Sequence, residues 1–129
     1  MTKLSSISFF CPAYNDVGNL PELIPNVSEF LKKHFEKYEI VIIEDGSPDD
    51  TGLIADNLAK KFPNIKVVHH DKNKGYSATL KEGFEALEKS AVAEVIVTDS
   101  VYSPEQKLWK KLKILSLAPV LAPGIKKWL

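Results

Sequence analysis

The sequence predicts an α/β domain with a mostly parallel sheet and helices on both faces of that sheet. Short apolar runs alternate with amphipathic helical segments three times along the chain, and the connections between them are short. The second run is apolar throughout, which is typical of a parallel strand covered on both faces. Such alternation builds right-handed βαβ units, so the strands should lie side by side in one sheet.

The first strand is predicted over ISFFC, residues 7–11, and Pro12 is expected to end it. A helix should follow, because apolar residues then recur at helical spacing. These residues are Leu20, Leu23, Ile24, Val27, Phe30 and Leu31. The second strand is predicted over residues 39–43.

The second helix is predicted to begin with Ser47 as its N-cap and Pro48 at its first position. Asp50, three residues after Ser47, would complete a carboxylate variant of the capping box. The apolar side chains of its inward face would be Ile54, Leu58 and Phe62.

The later elements follow the same patterns. IKVVHH, residues 65–70, predicts a third strand, and AEVIVTD, residues 93–99, predicts a fourth. The helix between them is predicted from Tyr76, Leu80, Phe84 and Leu87. A last helix beginning at Pro104 would place Leu108, Leu112 and Leu115 on one side, and no fifth strand is evident.

The composition excludes several classes of protein. Seventeen acidic residues balance seventeen lysines, and arginine is absent, so no net charge attracts nucleic acid or an anionic membrane. The one cysteine, Cys11, excludes an internal disulfide and fits a reducing compartment. Its expected role is that of a small buried apolar side chain. No signal peptide or membrane-spanning run is recognisable, so we expect a cytoplasmic location.

Polar side chains follow each predicted strand. The segments are CPAYND, EDGSPDD, HHDKNKGYS and TDS. In an open α/β sheet, ligands bind beyond the carboxyl ends of the strands. Acids gathered there repel each other, so they should meet a metal ion or the donor groups of a ligand.

Single residues in these segments allow more than one interpretation. Glu44 is expected to be a solvated strand end, whereas Asp45 would either bind a ligand or cap a loop. His69 and His70 are adjacent on a strand, so they should point to opposite faces and cannot bind one metal together.

Four stretches resemble the nucleotide-sugar half of family-2 glycosyltransferases with the GT-A fold. They are FFCPAYNDVGNLPELI, EIVIIEDGSPDDT, NKGYSATLKEGF and VIVTDS. The nearest likeness is to polyprenol-phosphate mannosyl- or glucosyltransferases, and it covers residues 5 to 100. It implies a Rossmann-like GT-A half, truncated after about the fourth strand. Residues 1–103 would bind the nucleotide sugar, and residues 104–129 would add a helix and an irregular tail.

The resemblance also implies an activity. A hexose would pass from a UDP- or GDP-sugar to an acceptor such as polyprenyl phosphate, in the cytoplasm or at the cytoplasmic face of a membrane. The implied nucleotide-binding residues are Pro12, Ala13, Tyr14, Asn15, Asp16, Asp45, Ser47, Asn73, Gly75 and Ser77. Asp45 would accept hydrogen bonds from the base, and no catalytic residue is assigned.

The resemblance further implies a divalent cation, Mg²⁺ or Mn²⁺, on the donor diphosphate. Asp99 matches the first acid of the family's Asp-x-Asp motif. Ser100 and Val101 follow it in place of the second acid. The metal site is therefore expected to be weak.

Three functions remain open at this point. The chain is an active transferase, a non-catalytic nucleotide-binding module, or a flavodoxin-like or receiver-type signalling domain. A receiver domain needs a lysine after its fifth strand. No fifth strand is evident in this sequence, which counts against the signalling domain. We also expect a homodimer or a partner chain, because a sheet edge and apolar residues near the C-terminus would otherwise be exposed. These residues are Trp109, Val120, Leu121 and Trp128.

Overall fold

The computed structural model describes residues 2–88, 95–98, 112–116, 118–119 and 123. Its elements are β1 (Leu4–Ala13), α1 (Leu20–His34), β2 (Phe35–Glu44), α2 (Thr51–Lys61), β3 (Ile65–His69), α3 (Tyr76–Glu88), β4 (Val95–Thr98) and β5 (Leu112–Leu115). Residues Met1–Gly83 form one compact unit and Phe84–Leu129 a second. The predicted boundary after residue 103 lies outside the described residues.

The first unit contains a three-stranded parallel sheet in the order β1-β2-β3. Ala13 pairs with Glu44, and Glu44 pairs with His69. The carboxyl ends of all three strands are therefore level with each other. The predicted α/β class and parallel pairing are confirmed.

Helices lie on both faces of this sheet. Side chains alternate between the faces along each strand, and one face packs against α1 and α2. The buried core on that face consists of Ala13, Leu20, Ile24, Leu31, Ile40, Ile42, Ala55, Leu58 and Ile65. Phe10 points to the other face, where its ring packs against Gly83 of α3.

Strand β1 continues past Pro12 to Ala13, so the predicted end of the first strand is wrong. The Ala13 carbonyl accepts a hydrogen bond from the Asp45 N–H, which shows that Ala13 faces β2. The nitrogen of Pro12 therefore points away from β2, to the side of β1 where the described three-stranded sheet has no further strand. Proline is tolerated there because no ladder hydrogen bond is lost.

Helix α2 begins at Thr51, later than the predicted start at Pro48. Asp50 occupies the N-cap position, and its side chain makes no capping hydrogen bond. The Asp49 carboxylate instead accepts the Thr51 N–H at 3.0 Å. Ser47 is not the N-cap, because its backbone and hydroxyl bond to Glu44 and Asn15.

The second unit contains the parallel pair β4 and β5, with Val95 opposite Leu112 and Thr98 opposite Leu115. The fourth strand is confirmed. The prediction that Leu112 and Leu115 belong to a helix is wrong. Leu-Lys-Ile-Leu is a short and mostly apolar run, and such a run does not distinguish a strand from a helix. The rest of that predicted helix, residues 104–111, lies outside the described residues.

Gly83 allows α3 to approach β1 closely. A Cβ at this position would lie 2.5 Å from Cζ of Phe10, whereas a Cβ on Gly52 in α2 would find only ordinary contacts. Gly83→Ala should therefore lower the free energy of unfolding by about 1–2 kcal/mol relative to Gly52→Ala, since both substitutions gain helix propensity and one overpacks. Urea unfolding of the two variants measures the difference. Equal stabilities would contradict the tight packing of Phe10 on Gly83.

Candidate nucleotide site at the strand ends

Two acid–histidine pairs close the carboxyl ends of β2 and β3. Glu44 pairs with His69 in the strand register, and Asp45 and His70 directly follow the last residues of the two strands. Successive side chains point to opposite faces of a sheet. One pair therefore lies on the α2 side and the other on the α3 side. We call these pairs, with the helix carboxylate that each contacts, the Glu44 bridge and the Asp45 bridge.

The Glu44 bridge connects β2 to α2. His69 Nε2 lies 2.8 Å from Asp56 Oδ1 and its Nδ1 a longer 3.4 Å from Glu44 Oε2. The Ser47 N–H donates to Glu44 Oε1 at 2.6 Å. Glu44 is only 5% exposed, so the expected solvated strand end is wrong.

Glu44 and His69 are both stabilised in their charged forms. Burial by itself would raise the pKa of Glu44, but hydrogen bonds from Ser47 and His69 outweigh it and lower that pKa. The hydrogen bond to Asp56 raises the pKa of His69.

The Asp45 bridge connects β2 to α3 and to the loop before it. His70 Nδ1 lies 2.6 Å from Asp45 Oδ1, and its Nε2 lies 2.9 Å from Glu82 Oε2. The Lys74 N–H donates to Asp45 Oδ1 and the Gly75 N–H to Oδ2, each at 2.9 Å. Burial would raise the pKa of Asp45, but the hydrogen bonds, first that of His70, lower it overall. Asp45 is therefore an ionised, almost fully buried acceptor.

The loop at residues 72–75 depends on two glycines. Gly75 has φ +88°, a conformation that favours glycine, and its N–H also bonds to Asn73 Oδ1 at 2.7 Å. Gly46, in the turn after β2, has φ +67°. A Cβ on Gly46 would lie 2.6 Å from the Asn73 nitrogen and would also clash with the carbonyl carbon of Lys72. The turn after β2 and the 72–75 loop are thus in direct backbone contact.

The segment after β1 is bonded to the same turn. The Asn15 N–H donates to Ser47 Oγ at 3.2 Å, and the Asp16 N–H donates to Thr51 Oγ1 at 2.8 Å. Asp16 Oδ2 accepts the Tyr14 N–H at 3.1 Å. Asn15 has φ +53°, which asparagine adopts more readily than most residues. Three loops therefore meet at one end of the sheet.

Most of the residues assigned by resemblance lie in this cluster. Pro12 and Ala13 end β1, Ser77 is exposed in the first turn of α3, and Asp99 lies outside the described residues. A cavity of about 510 Å³ opens beside Pro12 and Asp16, on the side of α1 and away from Asp45. Cys11 also lines it.

Cys11 is partly buried and packs against the core, as expected. Burial, with a further contribution from the Asp16 charge, raises the pKa of its thiol to about 11. The thiolate is therefore scarce at neutral pH, and Cys11 is a poor nucleophile.

Among the described residues, no group of three or more His, Cys, Asp or Glu side chains is placed to hold a metal ion. His69 and His70 point to different carboxylates on opposite faces, as the sequence predicts. Within that same part of the chain, no helix has the length and apolar character needed to cross a membrane.

A family model identifies the class of protein to which the chain belongs. Residues 8–113 match the model described as glycosyl transferase family 2. The chain belongs to glycosyl transferase family 2. The match contains all four stretches of the resemblance and decides against the receiver-type alternative.

Curated relatives agree with this family. The chain is 37% identical over 82 residues to dolichyl-phosphate beta-glucosyltransferase ALG5A of Trichomonas vaginalis, which covers 60% of this chain and 25% of that protein. It is 31% identical over 118 residues to dolichol-phosphate mannosyltransferase of Pyrococcus furiosus, and the match covers 92% of this chain and 32% of that protein. An undecaprenyl-phosphate 4-deoxy-4-formamido-L-arabinose transferase of Pseudomonas fluorescens is 34% identical over 80 residues, and the match covers 61% of this chain and 24% of that protein. The chain spans a quarter to a third of the length of these relatives.

Sequence reasoning missed His70, Glu82 and Thr51 as parts of the cluster. The signal for His70 was present, because an acid pair ending one parallel strand and a histidine pair ending the next can be placed in register. The contacts of Glu82 and Thr51 depend on how closely two helices approach the sheet, which residue spacing does not reveal.

The lowered pKa of Asp45 predicts a stability that falls in acid. A carboxyl whose folded pKa lies below its ordinary value of 3.8 stabilises the protein above that pH and loses this contribution as pH falls through the folded pKa. Asp45→Asn should lower the free energy of unfolding at pH 7 by about 1–3 kcal/mol, because it weakens a buried hydrogen-bonded acceptor. The gap to the wild type should close below pH 3.8, as thermal unfolding across pH would show. A gap independent of pH would mean that Asp45 is not ionised in the folded protein.

Proposed function

We propose that this chain binds the nucleoside diphosphate of a UDP- or GDP-sugar at the carboxyl ends of β1, β2 and β3. A hexose would then pass from this donor to a polyprenyl phosphate. One observation carries the proposal. The segments at residues 14–16, 44–47 and 73–75, which hold most of the residues that the family resemblance assigns to the nucleotide, are hydrogen-bonded into one cluster.

The cluster offers an aromatic surface to the nucleotide. Tyr14 is 42% exposed at the end of β1, beside the segment that bonds to Ser47. An exposed aromatic ring can stack on a base or pack against a ribose. Its backbone N–H is bonded to Asp16, so the backbone that carries the ring is held before any ligand binds.

Asp45 would reach the base through its remaining acceptor capacity. A carboxylate has about four acceptor sites, and His70, Lys74 and Gly75 take three. The fourth is on Oδ2, but Asp45 is only 3% exposed. An N–H of the base would have to reach that oxygen while the hydrogen bonds from Lys74 and Gly75 stay in place.

The donor diphosphate needs positive charge as it leaves. Arginine is absent, and Lys74 is paired with Glu82 at 2.9 Å. A divalent cation would supply the charge, with Asp99 and the diphosphate oxygens among its ligands. The described residues hold no cluster that fits such an ion, so the fit depends on Asp99.

The relatives support a polyprenyl phosphate as the acceptor. Their names specify dolichyl or undecaprenyl phosphate, which are lipid phosphates. We therefore place the reaction at the cytoplasmic face of a membrane. A homodimer or partner chain stays a prediction, which light scattering tests.

A second candidate is a nucleotide-binding module that transfers no sugar. It is favoured by Ser100 and Val101, which stand where the family has its second metal-binding acid, and by the absence of arginine. Both candidates need nucleotide binding. A radiolabelled donor assay with polyprenyl phosphate separates them, because the transferase forms the lipid-linked sugar and the module does not.

Tyr14 provides the test of nucleotide binding. Tyr14→Ala should weaken UDP or GDP binding by about 1–3 kcal/mol, the range for a base stacked on an aromatic side chain, without lowering stability. Phe30→Ala is the matched control, since Phe30 is also an exposed aromatic and lies on α1. Calorimetry measures both. Full affinity in Tyr14→Ala would remove Tyr14 from the site, and a wild type that binds neither nucleotide at millimolar concentration would refute the proposed function.

Val101 provides the test of the metal site. Mn²⁺ should improve nucleotide affinity only slightly in the wild type. Val101→Asp should increase the dependence on Mn²⁺, because it restores a second hard oxygen ligand. Val101→Asn is the control for size. Tight Mn²⁺-dependent binding by the wild type would show that another acid completes the site.

A further inference from the structure

We propose that His70 is a positioning residue for the nucleotide site. It would hold the Asp45 carboxylate and, through it, the backbone of the 73–75 loop, without touching the ligand. The inference rests on the proposed nucleotide binding. It assigns a role to a histidine that the sequence suggests only as a possible metal ligand.

The surroundings of His70 exclude direct contact with a ligand. Its side chain is 5% exposed, and its two ring nitrogens face Asp45, which directly follows β2, and Glu82 on α3. With both nitrogens engaged by protein carboxylates, the ring has no polar atom left for a nucleotide. Any effect of His70 on binding must therefore pass through its partners.

Asp45 transmits the effect of His70 to the loop. Its two oxygens accept the N–H groups of Lys74 and Gly75, so rotation of the carboxylate would break both bonds together. His70 makes the shortest of the three contacts, at 2.6 Å, and fixes Oδ1. The buried Thr79 hydroxyl also lowers the pKa of Asp45, although it lies outside hydrogen-bonding geometry.

Glu82 closes the arrangement on the side of the helix. It contacts His70 Nε2 and accepts from Lys74 Nζ, each at 2.9 Å, so the residue after Asn73 is held by both its backbone and its side chain. Gly83, next to Glu82, allows α3 to lie close enough to the sheet for this contact. Contacts with Asp45 and with Glu82, which His70 connects, thus hold the loop.

His69 does not have the same arrangement. Its side chain is 43% exposed, and its contact with Glu44 is 3.4 Å long. Glu44 also bonds to Ser47 rather than to the 73–75 loop. A positioning role for the loop therefore belongs to His70 among the two adjacent histidines.

The test compares His70→Ala with His70→Asn. The asparagine amide can replace Nδ1 as the donor to Asp45, whereas alanine cannot. His34→Ala, at the end of α1, is the control for loss of a histidine far from the cluster. Two quantities are measured: UDP and GDP affinity by calorimetry, and amide hydrogen exchange at Lys74 and Gly75, with Ile40, bonded to Asn64 O, as the internal reference.

His70→Ala should weaken nucleotide affinity about tenfold and accelerate exchange at Lys74 and Gly75, because the buried carboxylate loses one of its donors. Exchange at Ile40 should not change. His70→Asn should recover both quantities, and His34→Ala should match the wild type.

Three outcomes would overturn the inference. One is unchanged affinity in His70→Ala while the wild type binds, which leaves the proposed function intact. A second is equal acceleration at Ile40, which would show general destabilisation. The third is His70→Asn behaving as His70→Ala although it folds. A wild type that binds neither nucleotide refutes the proposed function first, and this inference with it.

Discussion

The parallel register between β2 and β3 sets the arrangement at this end of the molecule. It places Glu44 level with His69, and the alternation of side chains then brings Asp45 to His70 on the other face. A buried carboxylate without partners is costly, so each acid needs such a donor. The histidines provide it and extend the contact to a helix on each side. A slip of one residue in this register would separate both acids from their imidazoles.

The two acids at the end of the apolar strand β2 thus hold the neighbouring loops in place. Each carboxylate bonds to one imidazole and uses its other capacity for backbone N–H groups, from Ser47 in one case and from Lys74 and Gly75 in the other. The loops that carry the family's nucleotide residues are therefore ordered before a ligand arrives. Such preorganisation lowers the entropy cost of binding.

The sheet could be predicted from the sequence because burial gives each strand and helix a local period. The end of β1, the start of α2 and the existence of β5 could not, since each depends on a partner. Pro12 is tolerated because its nitrogen points away from β2, the one strand that pairs with β1 in the described sheet, and the Ser47 hydroxyl bonds to Asn15 instead of capping a helix. The gathering of polar loops was predictable, but the burial of Glu44 was not. It requires the contact with His69, which only the register brings about.

The contact between Gly46 and the 72–75 loop affects how donor preference could change. The two backbones meet where any side chain at residue 46 would collide with Lys72 and Asn73. The turn after β2 and the loop before α3 therefore cannot be altered separately without displacing each other. Under the proposed function, a change of donor preference that moves either backbone would therefore require changes in both segments. Libraries aimed at new donors should accordingly randomise residues on the two segments jointly and leave Gly46 unchanged.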